Sequence, residues 1–411
     1  MNPIVIVGGG HAGAQLCSSL VEAGLGAQVH LVCAESHLPY QRPPLSKAYL
    51  KNPAEGLQLH RAQAWFEQAG ITLHLGDPAV SIDCAAQRLR LRSGTELPYG
   101  QLVLATGAVA RRVPQLPAGL ANVAELRHAA DAQALRQQLG SAKSLTVLGG
   151  GFIGLEVAAT ARVLGLEVQV IEAQPRLLSR SVSAELAGHI LATHQAAGIH
   201  FELGAQVGGL THDGQRLLSI EVNGQPQAVD LLLMGIGAVP DTGLAETAGL
   251  SVDNGILVDA AMRSSDPHIL AIGDVARFAL ATAWASPEGG SVRLESVQNA
   301  NDQARTAAAT LQGKAARYAA LPWFWSEQGS MRLQMAGLKP DADAPGVARY
   351  RRPGASAASF SVLHYADARL VCVESVNAPM DHMMSRKLME AGRHPAPEVL
   401  ADPAVALKSL L

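Results

Sequence analysis

Gly8, Gly10 and Gly13 stand in the spacing G-x-G-x-x-G, and a carboxylate follows at Glu35. Residues of these types in this order suit the binding of a dinucleotide. The first glycine permits a tight turn, the second lets backbone approach a pyrophosphate, and the third lets a helix pack on a strand. An acid about 20 residues on can bind a ribose hydroxyl. The pattern recurs as Gly149, Gly151 and Gly154, with Phe152 and Ile153 between them and Glu172 18 residues after Gly154. Two complete fingerprints imply two dinucleotides. A carboxylate accepts hydrogen bonds from a ribose 2′-OH but repels a 2′-phosphate, so Glu172 favours NAD(H) over NADP(H). Arg176 and Arg180, close downstream, are placed to soften that preference.

Two further residues stand out. Lys47 ends the stretch Pro39 to Lys47, whose three prolines stiffen the loop and can hold a cation in place, although a solvated lysine fits the same spacing. Asp274 closes an apolar strand, where open α/β sheets contact ligands and where helix caps also occur. The cysteines Cys17, Cys33, Cys84 and Cys372 form no C-x-x-C, so neither a redox dithiol nor a cysteine-ligated cluster is built locally. They read as buried, inert thiols. His189 and His194 are five apart, on different faces of a helix, and no metal site is expected.

The elements that must position these residues are legible in the pattern. Ile4 to Val7 reads as a buried parallel strand, followed by a helix opening at Gly10 whose unpaired N–H groups face the phosphates. A strand from Gln28 to Val32 leads towards Glu35, and a helix is expected near Ser46. Leu102 to Leu104 reads as a strand running into Ala105, Thr106 and Gly107. The second fingerprint has a strand Leu145 to Leu148, a helix through about Leu164 and a strand Glu167 to Ile171. An apolar strand from Asp230 runs into a turn holding Gly237, Ile269 to Ile272 leads into Gly273 and Asp274, and 295–312 is helical. From Pro322 the composition changes: Trp323, Phe324 and Trp325 cluster in a chain with only four tryptophans. Strand patterns at Phe360 to Tyr365 and Leu370 to Val376, with a helix near Asp381, suggest a small α+β domain.

The whole chain sets bounds. Its 411 residues suggest two to three domains at roughly 150 residues each. With 32 basic and 35 acidic residues, nothing calls for nucleic acid or an anionic membrane. Arg88, Arg90 and Arg92 read as one solvated strand face. No uninterrupted apolar run is long enough to span a bilayer. The N-terminus enters its first strand at once, leaving no room for a signal peptide, and a cytoplasmic protein is expected.

At this point the sequence resembles the pyridine-nucleotide–disulfide reductase superfamily, and within it the FAD-dependent ferredoxin reductases of bacterial oxygenase systems. The likeness covers essentially the full chain. It is carried by G-G-G-H-A-G, P-Y-Q-R-P-P-L-S-K, A-T-G-A, G-G-G-F-I-G-L-E, I-G-D-V-A, E-S-V-Q-N-A and P-W-F-W-S. Where the disulfide reductases carry a redox cysteine pair, this chain has Arg42 to Lys47.

The resemblance implies an α/β fold with two Rossmann-like dinucleotide-binding domains and a C-terminal α+β interface domain. The FAD domain is discontinuous, 1–110 and 236–320; the NAD domain is 111–235 and the interface domain 321–411. For FAD it implies Gly8, Gly10, Ala12, Gly13, Glu35 or its neighbour Ala34, Arg42, Lys47, Val80, Ala105, Thr106, Gly107, Arg127, Gly273, Asp274 and Val297. Gly149, Gly151, Phe152, Ile153, Gly154, Glu156, Glu172 and Gly237 complete the cofactor set. The resemblance also implies that Lys47 pairs with Glu156 near the flavin, that Phe152 covers the nicotinamide pocket and that Trp325 lies against the flavin. Asp241 stands where the family has asparagine. Val297, where members with a Rieske partner often carry tryptophan, is more like the putidaredoxin-reductase-like branch, which serves a cytochrome P450.

The activity implied is transfer from NADH through FAD to a [2Fe–2S] ferredoxin, which feeds a P450 or Rieske oxygenase. Arg305, Lys314, Lys339, Arg349, Arg351 and Arg352 are the basic residues available to dock an acidic ferredoxin. Two other readings compete: an NADH oxidase or small-molecule reductase, and a flavin-bearing binding protein like the apoptosis-inducing-factor relatives.

Overall fold

The computed structural model describes residues 3–280, 290–341 and 344–411. The chain forms two compact units, Met1–Arg42 with Leu57–Val109 and Val239–Pro322, and Pro43–Gly56 with Ala110–Ala238 and Trp323–Leu411.

The first unit is built on a parallel five-stranded sheet in the order Ile269–Ala271, Gln101–Leu104, Ile4–Val7, Val29–Cys33, Thr72–Leu75. The central strand shows why an unbroken apolar run was needed. Strand side chains alternate, so Ile4 and Ile6 enter one core while Val5 and Val7 enter the other. On the first face lie the helices His11–Glu22 and Val297–Leu311. The second helix turns Ala300, Ala304, Ala307 and Ala308 inward, and side chains this small let the helices approach closely. On the other face Leu89 and Leu91 pack from an antiparallel sheet of three strands, while Arg88 and Arg90, which alternate with them, stay in solvent.

The second unit repeats the parallel arrangement in the order Ile199–Leu203, Glu167–Glu172, Ser144–Leu148, Leu231–Met234, Val123–Ala124. Its helix Phe152–Val163 packs on this sheet and also on the strand Trp323–Gln328, and is apolar on most sides. That strand belongs to an antiparallel sheet in the order Trp323–Gln328, Met331–Gly337, Arg369–Val376, Phe360–Ala366, Val347–Pro353, with the helix Pro379–Glu390 against it. Glu374, fully buried in this sheet, accepts from the backbone N–H of Ser183 at 2.7 Å, at the start of the helix Ala184–Ala196. The C-terminal sheet is thereby anchored to the parallel one.

The segment Pro43–Gly56, numbered within the stretch expected to carry FAD, packs in the second unit. The reason is a set of polar contacts. The Arg136 guanidinium lies 4.1 Å from the Tyr49 ring and donates to the carbonyls of Tyr49 and Glu55 at 3.3 and 3.1 Å. Thr160 Oγ1 donates to the Ser46 carbonyl at 3.0 Å.

Candidate functional site

The first glycine loop, in the first unit, is shaped by close backbone approach. Gly8 has φ +115°, and a Cβ there would fall 2.1 Å from the Ala105 carbonyl oxygen. A Cβ on Gly13 would fall 2.0 Å from the oxygen of Gly8. Gly10 is different: its backbone is extended, its Cβ would meet only the Arg42 side chain at 4.0 Å, and it caps the helix without a side chain. That leaves room beside Gly10 at the positive end of the helix, which suits a pyrophosphate. Around the loop the structure gathers Ala12, which a Cβ on Gly273 would reach at 3.0 Å, and Ala105, Thr106 and Gly107. Thr106 Oγ1 donates to the Asp241 carbonyl at 2.7 Å, and Asp241 N donates to the Gly107 carbonyl at 2.9 Å. These contacts use Asp241 backbone alone, so the change from asparagine leaves them intact.

Glu35 lies two residues beyond its strand, and Tyr40 and Arg42 hold it there. Tyr40 Oη donates to one carboxylate oxygen at 2.6 Å and Arg42 Nη2 to the other at 3.1 Å. Asp274 sits in a single 3₁₀ turn, Gly273–Val275, whose Gly273 N–H donates to Gln303 Oε1 at 2.7 Å. Val297 opens its helix half-buried, whereas Ala34 and Val80 lie exposed. Two residues of the FAD set, Lys47 and Arg127, belong to the second unit. Arg127 precedes the helix Ala129–Leu139, where its N–H donates to Asp131.

The second glycine loop repeats the first within the second unit. Gly149 has φ +105° and would put a Cβ 2.4 Å from the Gly235 oxygen; the Cβ of a residue at Gly154 would meet the Gly149 oxygen at 2.7 Å. Gly151 caps the helix Phe152–Val163 with nothing closer than 3.7 Å. Gly237, φ +103°, accepts at its carbonyl from Arg111 N, and Ile153 is exposed. Glu172 has a duty the spacing did not reveal. Its two oxygens accept from the backbone N–H groups of Gly150 and Gln174, at 2.6 and 2.7 Å, so it braces the loop it was expected to face. Arg176 donates to the carbonyls of Ser179 and Val182, while Arg180 is exposed.

The structure brings Lys47 and Glu156 together. Lys47 Nζ lies 2.7 Å from Glu156 Oε2, with side chains 17% and 6% exposed, so the pair is largely shielded from screening. Ser46 Oγ donates to the same oxygen and Ser326 Oγ to Oε1, at 2.5 and 2.6 Å. Neither serine stands out in the sequence as a carboxylate partner. The match of helix to strand explains the arrangement. Phe152 and Glu156 are four residues apart on the helix, about 6 Å of rise. Phe324 and Ser326 are two apart on the strand, about 6.6 Å. The two rises nearly coincide, so Phe152 meets Phe324, centroids 4.6 Å apart, one step along from the Glu156–Ser326 contact. Trp323 and Trp325 alternate away from these residues, with ring centroids 5.6 Å apart, and Arg386 lies over Trp323 at 5.2 Å.

The basic set expected to dock a partner loses a member. Arg352 is 6% exposed, donates to the carbonyls of Leu400 and Val405 and pairs with Asp381 at 3.2 Å. It struts the C-terminal end of the chain rather than meeting solvent. Arg351 pairs with Glu185 at 2.7 Å.

All four cysteines are free. Burial, then the charge of Glu35, pushes the Cys33 thiol up to about 12, and burial raises Cys17 further, which leaves both as thiols at neutral pH. Among the described residues no group of three or more His, Cys, Asp or Glu side chains is arranged to hold a metal, and no helix is long and apolar enough to cross a membrane.

Comparison with known proteins gives the following. The family profile described as pyridine nucleotide-disulphide oxidoreductase matches residues 2–304, and that described as reductase C-terminal matches 323–411. Rhodocoxin reductase of Rhodococcus erythropolis is 43% identical over 408 residues, covering 98% of this chain and 93% of that protein. Among solved structures, the ferredoxin reductase for the CYP199A2 system from Rhodopseudomonas palustris is 40% identical with a TM-score of 0.92, covering 100% of this chain and 99% of that one. The covalent putidaredoxin reductase–putidaredoxin complex is 35% identical with a TM-score of 0.92, covering 100% of this chain and 98% of that one.

Proposed function

The chain belongs to the pyridine nucleotide-disulphide oxidoreductase family, and from that premise we propose that it is an FAD-dependent NADH:ferredoxin oxidoreductase. Its acceptor is a [2Fe–2S] ferredoxin that feeds a cytochrome P450 or Rieske-type oxygenase, and it works in the cytoplasm, where NADH is produced. The observation that carries this reading is one glycine cradle in each unit, ahead of a reductase C-terminal region and without a cysteine pair. The similarity to reductases named for rhodocoxin and putidaredoxin supports the ferredoxin.

Bound FAD supplies the conversion between a two-electron hydride donor and a one-electron iron–sulfur acceptor. The protein's part is to bind and to orient. We assign FAD to the first unit, with the open helix end at Gly10 for its pyrophosphate and Glu35, held by Tyr40 and Arg42, for its ribose. We assign the nicotinamide dinucleotide to the loop Gly149 to Gly154, with Phe152 at its pocket, and the ferredoxin face to residues 323–411. The roles of Lys47, Arg127 and Trp325 towards FAD rest on resemblance alone.

The test is anaerobic. Protein reconstituted with FAD, given NADH and a panel of [2Fe–2S] ferredoxins, is expected to bleach one of them, two ferredoxins per NADH. If no ferredoxin is reduced, and a parallel assay in air or with a quinone turns over rapidly, the oxidase or small-molecule reductase reading holds instead. Slow flavin reduction with a long-lived charge-transfer complex would point to a binding protein.

NADH is expected to be used in preference to NADPH, measured as kcat/KM. Glu172 repels a 2′-phosphate, and Arg176, which could offset it, is committed to backbone carbonyls. Replacing Glu172 by alanine removes a ribose acceptor and frees the loop at Gly150 N, so NADH should lose about 1.5–3 kcal/mol; for NADPH the relieved repulsion offsets the lost brace, and the gap between the coenzymes should narrow. Equal kcat/KM for the two coenzymes in the native protein would overturn the assignment.

A further inference from the structure

The second oxygen of Glu156 begins a chain of buried polar groups that the reaction as described does not use. Glu156 Oε1 accepts from Ser326 Oγ at 2.6 Å. Ser326 Oγ in turn accepts from Gln328 Nε2 at 3.2 Å, and Gln328 Oε1 lies 2.9 Å from His194 Nε2. Ser326, Gln328 and His194 are 0, 1 and 2% exposed. Four residues thus span from the Lys47 ion pair to a cleft of about 450 Å³ walled by His194, Arg162, Thr193 and Ser330.

The inventory of donors fixes the direction of every link. An ionised carboxylate only accepts, so the single hydroxyl proton of Ser326 goes to Glu156. Ser326 must then accept from the Gln328 amide N–H₂, which turns Gln328 Oε1 towards the imidazole. His194 therefore carries its proton on Nε2. Burial lowers the pKa of His194, which favours the neutral ring with its single proton on Nε2. All donors point the same way, towards the carboxylate. An amide passes a proton on only through its imidic-acid tautomer, so the chain is suited to holding rather than conducting.

We propose that Ser326, Gln328 and His194 are positioning residues for Glu156. They fix Oε1 so that Oε2 stays turned to Lys47. Strand alternation makes this possible, because Phe324, Ser326 and Gln328 all face the same way while the tryptophans face the other. The inference rests on the reading that the Lys47–Glu156 pair works at the flavin.

The experiment uses the FAD-loaded protein. Ser326→Ala is expected to slow the limiting rate of flavin reduction by NADH about tenfold, the scale of one charge-assisted hydrogen bond, while the Kd for NADH changes less than about twofold. Ser326→Thr, which keeps the hydroxyl, should restore the rate. In a Glu156→Gln background, Ser326→Ala should cost little more, since the residue acts through the carboxylate. His194→Ala extends an existing cleft rather than opening a sealed void, and should slow reduction less than Ser326→Ala. Independently of turnover, nitrogen-15 NMR of the His194 ring should find the proton on Nε2. A proton on Nδ1, or equal losses from Ser326→Ala in both backgrounds, would overturn the proposal while leaving the Glu156 assignment standing. Native-rate flavin reduction by Glu156→Gln would remove the assignment itself.

Discussion

Valine at Gly149 is expected to give a yellow protein that NADH no longer bleaches. Gly149 sits at φ +105°, where a β-branched side chain is strained, and its Cβ would stand 2.4 Å from the Gly235 carbonyl oxygen. Backbone cannot yield as a flexible side chain can, so the second glycine loop must move. The first loop lies in the other unit and keeps its geometry. Flavin should therefore remain bound, while flavin reduction by NADH falls at least about a hundredfold, equivalent to about 2.7 kcal/mol. Gly8→Val is the complement: φ +115° and a Cβ 2.1 Å from the Ala105 oxygen predict a protein purified without visible flavin absorption. Rapid-mixing spectra of the two variants check both halves. Bleaching of Gly149→Val at the native rate would show that the second loop does not bind the donor.

The second large effect is expected at Lys47. Replacing it with methionine leaves the Glu156 carboxylate almost wholly buried, with the hydroxyls of Ser46 and Ser326 as its remaining donors. Breaking a buried pair from one side costs about 3–5 kcal/mol, and the partial exposure of Lys47 puts this case at the lower end, about 3 kcal/mol. Urea unfolding of Lys47→Met should show that loss. The double variant Lys47→Met with Glu156→Gln no longer holds a lone buried charge and should be more stable than Lys47→Met alone. The coupling expected for residues in contact is about 0.5–3 kcal/mol, in stability and in flavin reduction rate alike. Additive losses in both would mean that the two residues act separately.

Much of this protein was legible in its sequence because the relevant physics is local. A run such as Ile4 to Val7 declares a strand buried on both faces, and the structure sends its alternate residues into two cores. Gly8 and Gly149 announce positive φ, since only glycine enters that region without strain, and both have it. The tertiary structure decided which distant groups meet. Ser46 and Ser326 reach Glu156 across 110 and 170 residues. Arg352 looked like a docking cation and is a buried strut, while Glu172 looked like a free ribose ligand and also braces Gly150. The segment Pro43–Gly56 follows Arg136 and Thr160 into the second unit, away from its sequence neighbours. Backbone preference and side-chain period act over a few residues and are written in spacing. A polar group's partner depends on which surfaces the packed elements bring together, and spacing along the chain carries no record of that.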